Sequence, residues 1–343
     1  MERVQIEIDG SYGEGGGQIV RTACSFAAVT GKRCRIFNIR QARRTPGLQP
    51  QHLASVRALA QICSGQLHGD EIGSRELAFT PHQITTPYLR VNVATAASIT
   101  LMLQALLPAV LALRAVTTIQ FEGGGTDTSR APTLDYFRHV FLWFLRRIGV
   151  DAEVEMIRRG YYPRGGAAIR MKVVARKLDR LELVDRGPLR HVTLFSLASP
   201  VLEKRKVAER QITGALGALD SLRVPIRSEL EYDLSFSVGS ALCIVAEFAN
   251  TVIGSNSLGA VGKRAEEVGK EAAGDFLREF RSSACLDRHM ADQILPYLAL
   301  GGYSSSATVS EVTSHCRTNM WVIENFLDGR FQVRDHTIVW TTS

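Results

Sequence analysis

The sequence predicts an α/β fold of the layered α+β kind, with a small α/β domain inserted into a larger one. Three observations carry this. Strand-like and helix-like segments alternate along nearly the whole chain, the pattern by which helices come to cover sheets. The composition suits a sizeable core: 343 residues, 45% hydrophobic and 22% charged, with mean hydropathy near zero. The character of the chain changes near 176–190, where "ARKLDRLELVDRGPLR" is charged and carries Gly187-Pro188.

The elements follow in order. Val4 to Ile8 reads as a strand and residues 15–30 as a helix with Ile19, Ala23 and Phe26 on one face. Arg35 to Ile39 is a strand and Gln51 to Ile62 a helix. A second round runs through Tyr88 to Val93 (strand), Thr95 to Leu113 (helix), Thr117 to Phe121 (strand) and Leu134 to Ile148 (helix). It ends in strands at Ala152 to Met156 and Ala167 to Val173. Beyond the charged stretch come a strand at His191 to Phe195, a helix at Glu203 to Leu216, two strands around 229–248 and a helix at Gly262 to Arg281. That set is self-sufficient, so the predicted division is a large domain of 1–181 and 281–343 with 182–280 inserted. "ADQILPYLAL", a helix at Cys316 to Phe326 and closing strands resemble the earlier rounds.

Composition narrows the function. The net charge is +7, and only seven of the 41 basic residues are lysines, leaving 34 arginines. Arginine grips phosphate with two parallel hydrogen bonds, which suits nucleotides and RNA, although a GC-rich genome gives the same bias. The longest apolar run, Leu101 to Leu113, is broken by Gln104 and Pro108 and is too short to span a bilayer. Met1-Glu2-Arg3 does not start a signal peptide. A cytosolic or nuclear protein is expected, with the cytoplasm preferred and no membrane partner. The six cysteines are scattered without a CxxC pair, which speaks against zinc and against a disulfide framework, and most should be buried.

Five stretches carry chemistry. "DGSYGEGGGQIVRTA" places glycines and Glu14 before a helix. It matches neither the P-loop nor the dinucleotide fingerprint. Glycines expose backbone N–H groups, and a helix N-terminus favours anions. Glu14, Gln18 and Arg21 are spaced by four and three, on one stripe of the helix start, an arrangement for a triphosphate with its divalent ion. The plain alternative is a strand-to-helix turn capped by Glu14. "FNIRQARRTPGLQPQHL" puts Arg40, Arg43 and Arg44 before a helix that Pro50 opens. "FEGGGTDTSRAPT" and "RRGYYPRGG" are two more Gly-rich strand ends, and three such ends predict backbone approach to ligands at one edge of the layers. In "SHCRTNMWVIENFL", Ser314 reads as an N-cap and His315 as the first helical residue. The helix dipole there favours a neutral, nucleophilic imidazole. An ordinary surface or core histidine is the alternative.

Taken in this order, "GSYGEGGGQIVRTA", "RRTPGLQPQHL", "GGTDTSRAPT", "RGYYPRGG", "ADQILPYLAL" and "SHCRTNMWVIENFL" closely resemble the RNA 3′-terminal phosphate cyclase family, over nearly the whole chain. The resemblance implies a large domain of three repeated sheet-plus-two-helix units with the small domain inserted. It implies ATP-dependent conversion of an RNA 3′-phosphate end to a 2′,3′-cyclic phosphate. The route passes through an enzyme–histidine–AMP adduct and an RNA-adenylate, releasing pyrophosphate and AMP. By motif match His315 is the nucleophile and Glu14 holds a divalent metal, magnesium or manganese. Gln18, Arg21, Arg40, Arg43, Gln51, His52 and Gln104 line the triphosphate and RNA-phosphate sites. Pro132 and His289 sandwich the adenine, and Asp292 and Gln293 reach the ribose and base. The chain departs from the family at His289, where family members carry tyrosine. The family also contains a ribosome-biogenesis branch that binds RNA without cyclising it and lacks the catalytic histidine. His315, with Glu14, Arg21, Arg40 and Arg43, favours the catalytic branch over that factor and over a plain RNA-end-binding protein.

Overall fold

The computed structural model describes residues 5–342. Three of its four sheets are built to one plan. In the first unit β1 (Gln5–Asp9), α1 (Gly17–Thr30), β2 (Arg33–Phe37), α2 (Pro50–Ile62), β3 (Gln66–His68) and β4 (Leu77–Thr80) form a sheet of order β1-β2-β4-β3. β1 and β2 are parallel, with Ile6 opposite Cys34, and the other pairs are antiparallel. A parallel pair needs a crossover, and α1 supplies it.

The second unit repeats this with β5 (Tyr88–Ser98), α3 (Ile99–Ala112), β6 (Val116–Gly125), α4 (Leu134–Tyr136), a π turn at Phe137–Phe141, α5 (Leu142–Arg147), β7 (Asp151–Arg158) and β8 (Ala168–Val174). The order is β5-β6-β8-β7, again with one parallel pair and two antiparallel ones. The third unit starts at β9 (Glu182–Leu183) and is interrupted. The interruption contains β10 (Leu189–Ala198), a 3₁₀ turn at Pro200–Arg205, α6 (Val207–Leu219), β11 (Ile226–Tyr232), β12 (Ser240–Phe248), β13 (Val252–Leu258) and α7 (Ala265–Arg281). Its sheet runs β11-β10-β12-β13. It has its own core, including Leu194, Ile244, Ile253 and Phe276. The chain then returns through α8 (Arg288–Gln293), α9 (Leu295–Leu300), β14 (Ser305–Thr308), α10 (Ser314–Glu324), β15 (Gly329–Arg334) and β16 (Thr337–Thr342). β14 pairs parallel with β9 and the sheet closes as β15-β16-β14-β9, the same plan a third time.

The layering follows from residue patterns. In β5, Leu89, Val91 and Val93 are buried while Tyr88, Arg90 and Asn92 are exposed, so one face takes helices and the other meets water. Ile19, Ala23 and Phe26 of α1 are fully buried, as their spacing predicts. Replacing Phe26 by Ala would cost about 3–5 kcal/mol through the cavity left behind. α3 is apolar nearly all round because α1, α2 and β6 all pack on it.

The structure corrects several expectations. Residues 95–98 continue β5, and the following helix is capped by Ser98, whose Oγ accepts from Leu101 N–H. The predicted helix at Glu203 divides at Lys206, whose φ of +51° no helix accommodates. β3, β4 and β13 had no sequence prediction. Two of the three glycine clusters serve the protein's own backbone: Gly123 N–H donates to Ala167 O at 2.7 Å and Ala167 N–H to Gly124 O at 3.1 Å. A Cβ on Gly123 would stand 1.9 Å from Val93 O, so β6 could not lie there with any other residue. All six cysteines are free and buried. Among the described residues no helix is long and apolar enough to cross a membrane.

A buried ion cluster ties the second unit to the interrupting segment. The guanidinium of Arg159, fully buried, lies 2.9 Å from Asp135, 3.1 Å from Asp127 and 2.6 Å from Asp233. Asp127 also accepts from Leu134 N–H at 3.3 Å. The cluster therefore fixes both ends of the 127–133 loop, which forms one wall of the cavity described next.

Candidate active site

A cavity of about 500 Å³ opens between the first and third units, and the 127–133 loop closes one side. Eight of the predicted residues line it: Gln18, Arg21, Gln104, Pro132, His289, Asp292, Gln293 and His315. They come from α1, α3, α8, α10 and the 127–133 loop.

His315 is the second residue of α10 and is half-exposed. The cap is Thr313, not Ser314: Thr313 Oγ1 accepts from Cys316 N–H at 3.2 Å. Ser314 instead donates its hydroxyl to the Glu14 carboxylate. Glu14 Oε2 stands 3.1 Å from His315 Nε2 and 3.3 Å from Arg43 Nη2. The bond from Ser314, with Arg43, holds the Glu14 carboxyl below its usual range, so it is ionised at neutral pH. Burial pulls the imidazole of His315 below its usual pKa, although Glu14 opposes this. The ring is therefore neutral at neutral pH. Its Nδ1 faces Asp292 Oδ2 at 3.8 Å. Burial pushes that carboxyl up to about 7, against the pull of Arg21.

Glu14 was expected on the helix stripe, or as its cap. It lies instead in the loop before α1, whose N-cap is Gly16 with no side-chain cap bond. The loop reaches the third unit because Gly13, at φ +59°, lets it press on α10: a Cβ there would stand 2.6 Å from Thr318 Oγ1. Gln18 completes the junction by donating Nε2 to His315 O at 3.2 Å. Its Oε1 is buried with no partner among the described residues.

Arg40, Arg43, Gln51 and His52 flank the Glu14 side rather than the cavity. Arg40 has φ +54° and donates Nη1 to Thr45 O at 2.6 Å and Gly47 O at 3.0 Å, so part of its fork braces its own loop. His52 Nδ1 accepts from Gln49 N–H at 3.1 Å, a reciprocal cap of α2, which Pro50 opens as predicted. Its Nε2 lies where a Cβ on Gly17 would sit, 1.9 Å away, so α1 and α2 start in contact. Burial, with Arg21 and Arg40, lowers His52 to about 3. Gln51 stands beside it on the first turn, held through its carbonyl by Ser55 Oγ at 3.0 Å.

At the far end of the cavity Gln104 Nε2 donates to Gln293 Oε1, and Gln293 Nε2 to His289 O, both at 2.6 Å. Thr100 Oγ1 donates to Pro132 O at 2.8 Å. α8 is anchored by buried Asp287, which accepts from His289 and Met290 N–H, from Gly254 N–H and from Tyr136 OH. The sequence reading missed Ser314, Arg130, Arg288 and Asn319. Asn319 accepts from Thr22 Oγ1 at 2.9 Å. Its position four residues after His315, on the same helix face, was a usable signal.

Residues 12–333 match the family model described as RNA 3'-terminal phosphate cyclase. An RNA 3'-terminal phosphate cyclase of Pyrococcus furiosus is 41% identical over 330 residues, 96% of this chain and 95% of the relative. Proteins of the same name from Pyrococcus abyssi and Saccharolobus islandicus are 42% and 41% identical, each over 96% of this chain and 95% and 96% of theirs. A solved structure, the enolpyruvyl transferase NikO of Streptomyces tendae, aligns over 99% of this chain and 81% of its own with 10% identity and a TM-score of 0.21, too loose to bear on function. With the family model matched over residues 12–333 and relatives 41–42% identical along 96% of its length, the chain belongs to the RNA 3′-terminal phosphate cyclase family.

Proposed function

We propose that this protein is an RNA 3′-terminal phosphate cyclase, using ATP to close an RNA 3′-phosphate onto the neighbouring 2′-hydroxyl as a 2′,3′-cyclic phosphate. The observation that carries the reading is His315: a neutral imidazole at the cavity, between the carboxylates of Glu14 and Asp292. A phosphate monoester has no good leaving group. Transfer of AMP to it supplies one, and a covalent enzyme–AMP divides the task into easier steps.

In this reading a His315 ring nitrogen attacks the α-phosphorus of ATP. The N–P bond forms as the bond to the β-phosphate oxygen breaks, and pyrophosphate leaves. The ring nitrogen without the proton is the reacting atom, with Nε2 beside Glu14 at 3.1 Å and Nδ1 3.8 Å from Asp292. The RNA 3′-phosphate oxygen then takes the AMP from His315. The 2′-hydroxyl oxygen next attacks the RNA phosphorus, loses its proton and expels AMP. Arg21 within the cavity, with Arg40 and Arg43 at its edge, offsets the phosphate charge. The uncapped N-terminus of α1 lies beside Arg43 and offers backbone N–H groups to the same charge. Pro132, His289, Asp292, Gln293 and Gln104 form the adenosine end.

Glu14 fits a divalent ion, magnesium or manganese. Its ionised carboxylate, beside Arg43 at the cavity edge, is the hard oxygen donor such an ion takes. Among the described residues no three His, Cys, Asp or Glu converge as a metal cage, so the remaining ligands would be phosphate oxygens and water. Bound there, the ion would neutralise triphosphate charge.

The test is incubation with α-labelled ATP and magnesium or manganese, without RNA. A protein–AMP adduct on His315, acid-labile and base-stable, is expected. Absence of an adduct, or its mapping to another residue, refutes the reading.

A further inference from the structure

We propose that a ridge outside the cavity binds the single-stranded body of an RNA whose 3′ end lies within it. This inference rests on the cyclase reading and adds a second, unassigned RNA contact.

The ridge starts where β11 ends. Leu234, Phe236 and Val238 are 71%, 56% and 62% exposed, while Ser235 and Ser237 turn inward onto Ser199. Apolar side chains out and polar ones in is the reverse of what a solvated loop needs, and clustered exposed apolar groups mark binding surfaces. Beside them lies the turn between β7 and β8, with Tyr162 79% exposed at its tip. The two segments are joined. Arg159 N–H donates to Leu234 O at 3.0 Å, and Arg164 N–H to Ser237 Oγ at 3.1 Å. The Phe236 ring rests on Gly166, where a Cβ would stand 2.3 Å from it.

The chemistry is that of a single-strand platform. The guanidinium of Arg158 lies 4.1 Å from the centre of the Phe236 ring and is held flat by its bond to Gly166 O at 2.6 Å. Arg164 is exposed. Among the described residues no carboxylate lies within ion-pair distance of Arg158 or Arg164. Asp233, three residues before Phe236, is held by Arg159, and Glu155, three before Arg158, pairs with Arg170. Open aromatic faces stack any base, and unpaired arginines meet phosphates.

Position supports the same partner. The 127–133 loop is a shared wall: Thr128, Arg130 and Pro132 line the cavity, while Thr126 N–H donates to Gly160 O at 2.9 Å and Asp127 bridges to Tyr161. Arg130, exposed on the same loop, adds a cation to this shared wall.

The test compares wild type with the double variant Tyr162→Ala, Phe236→Ala. Fluorescence anisotropy without ATP reads affinity for 3′-phosphorylated RNAs of about 3 and about 12 nucleotides. The long RNA is expected to bind the variant roughly tenfold or more weakly, the scale of one lost stack. The short RNA, and self-adenylylation from ATP alone, should be unchanged. Tyr162→Ala alone, at a solvent-exposed tip, should show part of the loss, and Phe236→Tyr should retain binding. Equal affinity of wild type and double variant for the long RNA overturns the proposal. So does a change of sedimentation with RNA affinity intact, which would make the ridge a contact between copies of this chain. Loss of long-RNA affinity in a protein that never cyclises would refute the cyclase reading and leave the ridge standing.

Discussion

Glu14 of the first unit and His315 of the third meet at 3.1 Å, and Ser314 grips the same carboxylate. The contact joins the two repeats across the cavity edge. Glu14→Gln keeps an acceptor for Ser314 and removes the charge. Adenylylation should fall by about two orders of magnitude or more, the scale of the several kcal/mol a catalytic metal supplies. The rate of adduct formation, titrated with metal, measures this. A native rate with native metal dependence would return Glu14 to a structural role.

His315→Asn should form no adduct and cyclise no RNA, since an amide cannot make the phosphoramidate. Thermal unfolding should barely move, because the side chain is half-exposed, and RNA affinity should persist on the arginines. An active Asn variant would remove His315 from the mechanism.

Arg40 and Arg43 should separate under substitution. Arg43 is exposed and bonded to Glu14, so Arg43→Ala should lower activity and leave the melting temperature unchanged. Arg40 holds two carbonyls of its own loop, so Arg40→Ala should also cost about 1–2 kcal/mol of stability. Urea unfolding of both variants checks it. Equal stability would mean the Arg40 bonds contribute nothing to the loop.

Asp292 and His52 set opposing pH slopes. Asp292 is raised to about 7, so between about pH 4 and 7 the folded chain keeps a proton that the unfolded chain has released. Its contribution to stability falls as pH rises through that window. His52 is lowered to about 3, so between about pH 3 and 6.5 the unfolded chain holds the extra proton, and this contribution rises with pH. Relative to wild type, Asp292→Asn should therefore gain stability from pH 4 to 7, on the order of 3 kcal/mol in total. His52→Asn should gain as pH falls from 6.5 to 3. Urea unfolding at stepped pH reads both difference curves, and a flat curve for Asp292→Asn would contradict the burial of its carboxyl.

Arg159→Met should destabilise the protein by about 3–5 kcal/mol, because Asp127 and Asp135 would remain buried without their cation. Chemical denaturation is the measurement. A loss below 1 kcal/mol would mean the cluster relaxes or takes up water.

Local pattern made much of this protein legible. The periodic apolar residues of α1 and β5, the proline opening α2, and the polar cluster around Glu14, Gln18, Arg21 and His315 are properties of short stretches. So the α+β class could be read directly, with Gln18, Arg21 and His315, while Gln104, Pro132, His289, Asp292 and Gln293 came only from the resemblance to the family. β3, β4 and β13 were missed because they are short or lie among small and polar residues, where period carries little. Lys206 broke a helix that periodicity alone would have continued.

By itself the sequence determined which segments are helix or strand and which side chains could do phosphate chemistry, because spacing along the backbone sets which residues share a face. Only the tertiary structure decided which of them meet. The glycine clusters at 123–125 and 165–166 carry the same local signal as the one before α1, yet they pack on each other, since their backbones face β-strand edges rather than a cavity. Glu14 joins His315 through a contact between repeats, and Asp233 joins Arg159 through one between the second unit and the interrupting segment. Such contacts depend on how three sheets pack, and no local period records that.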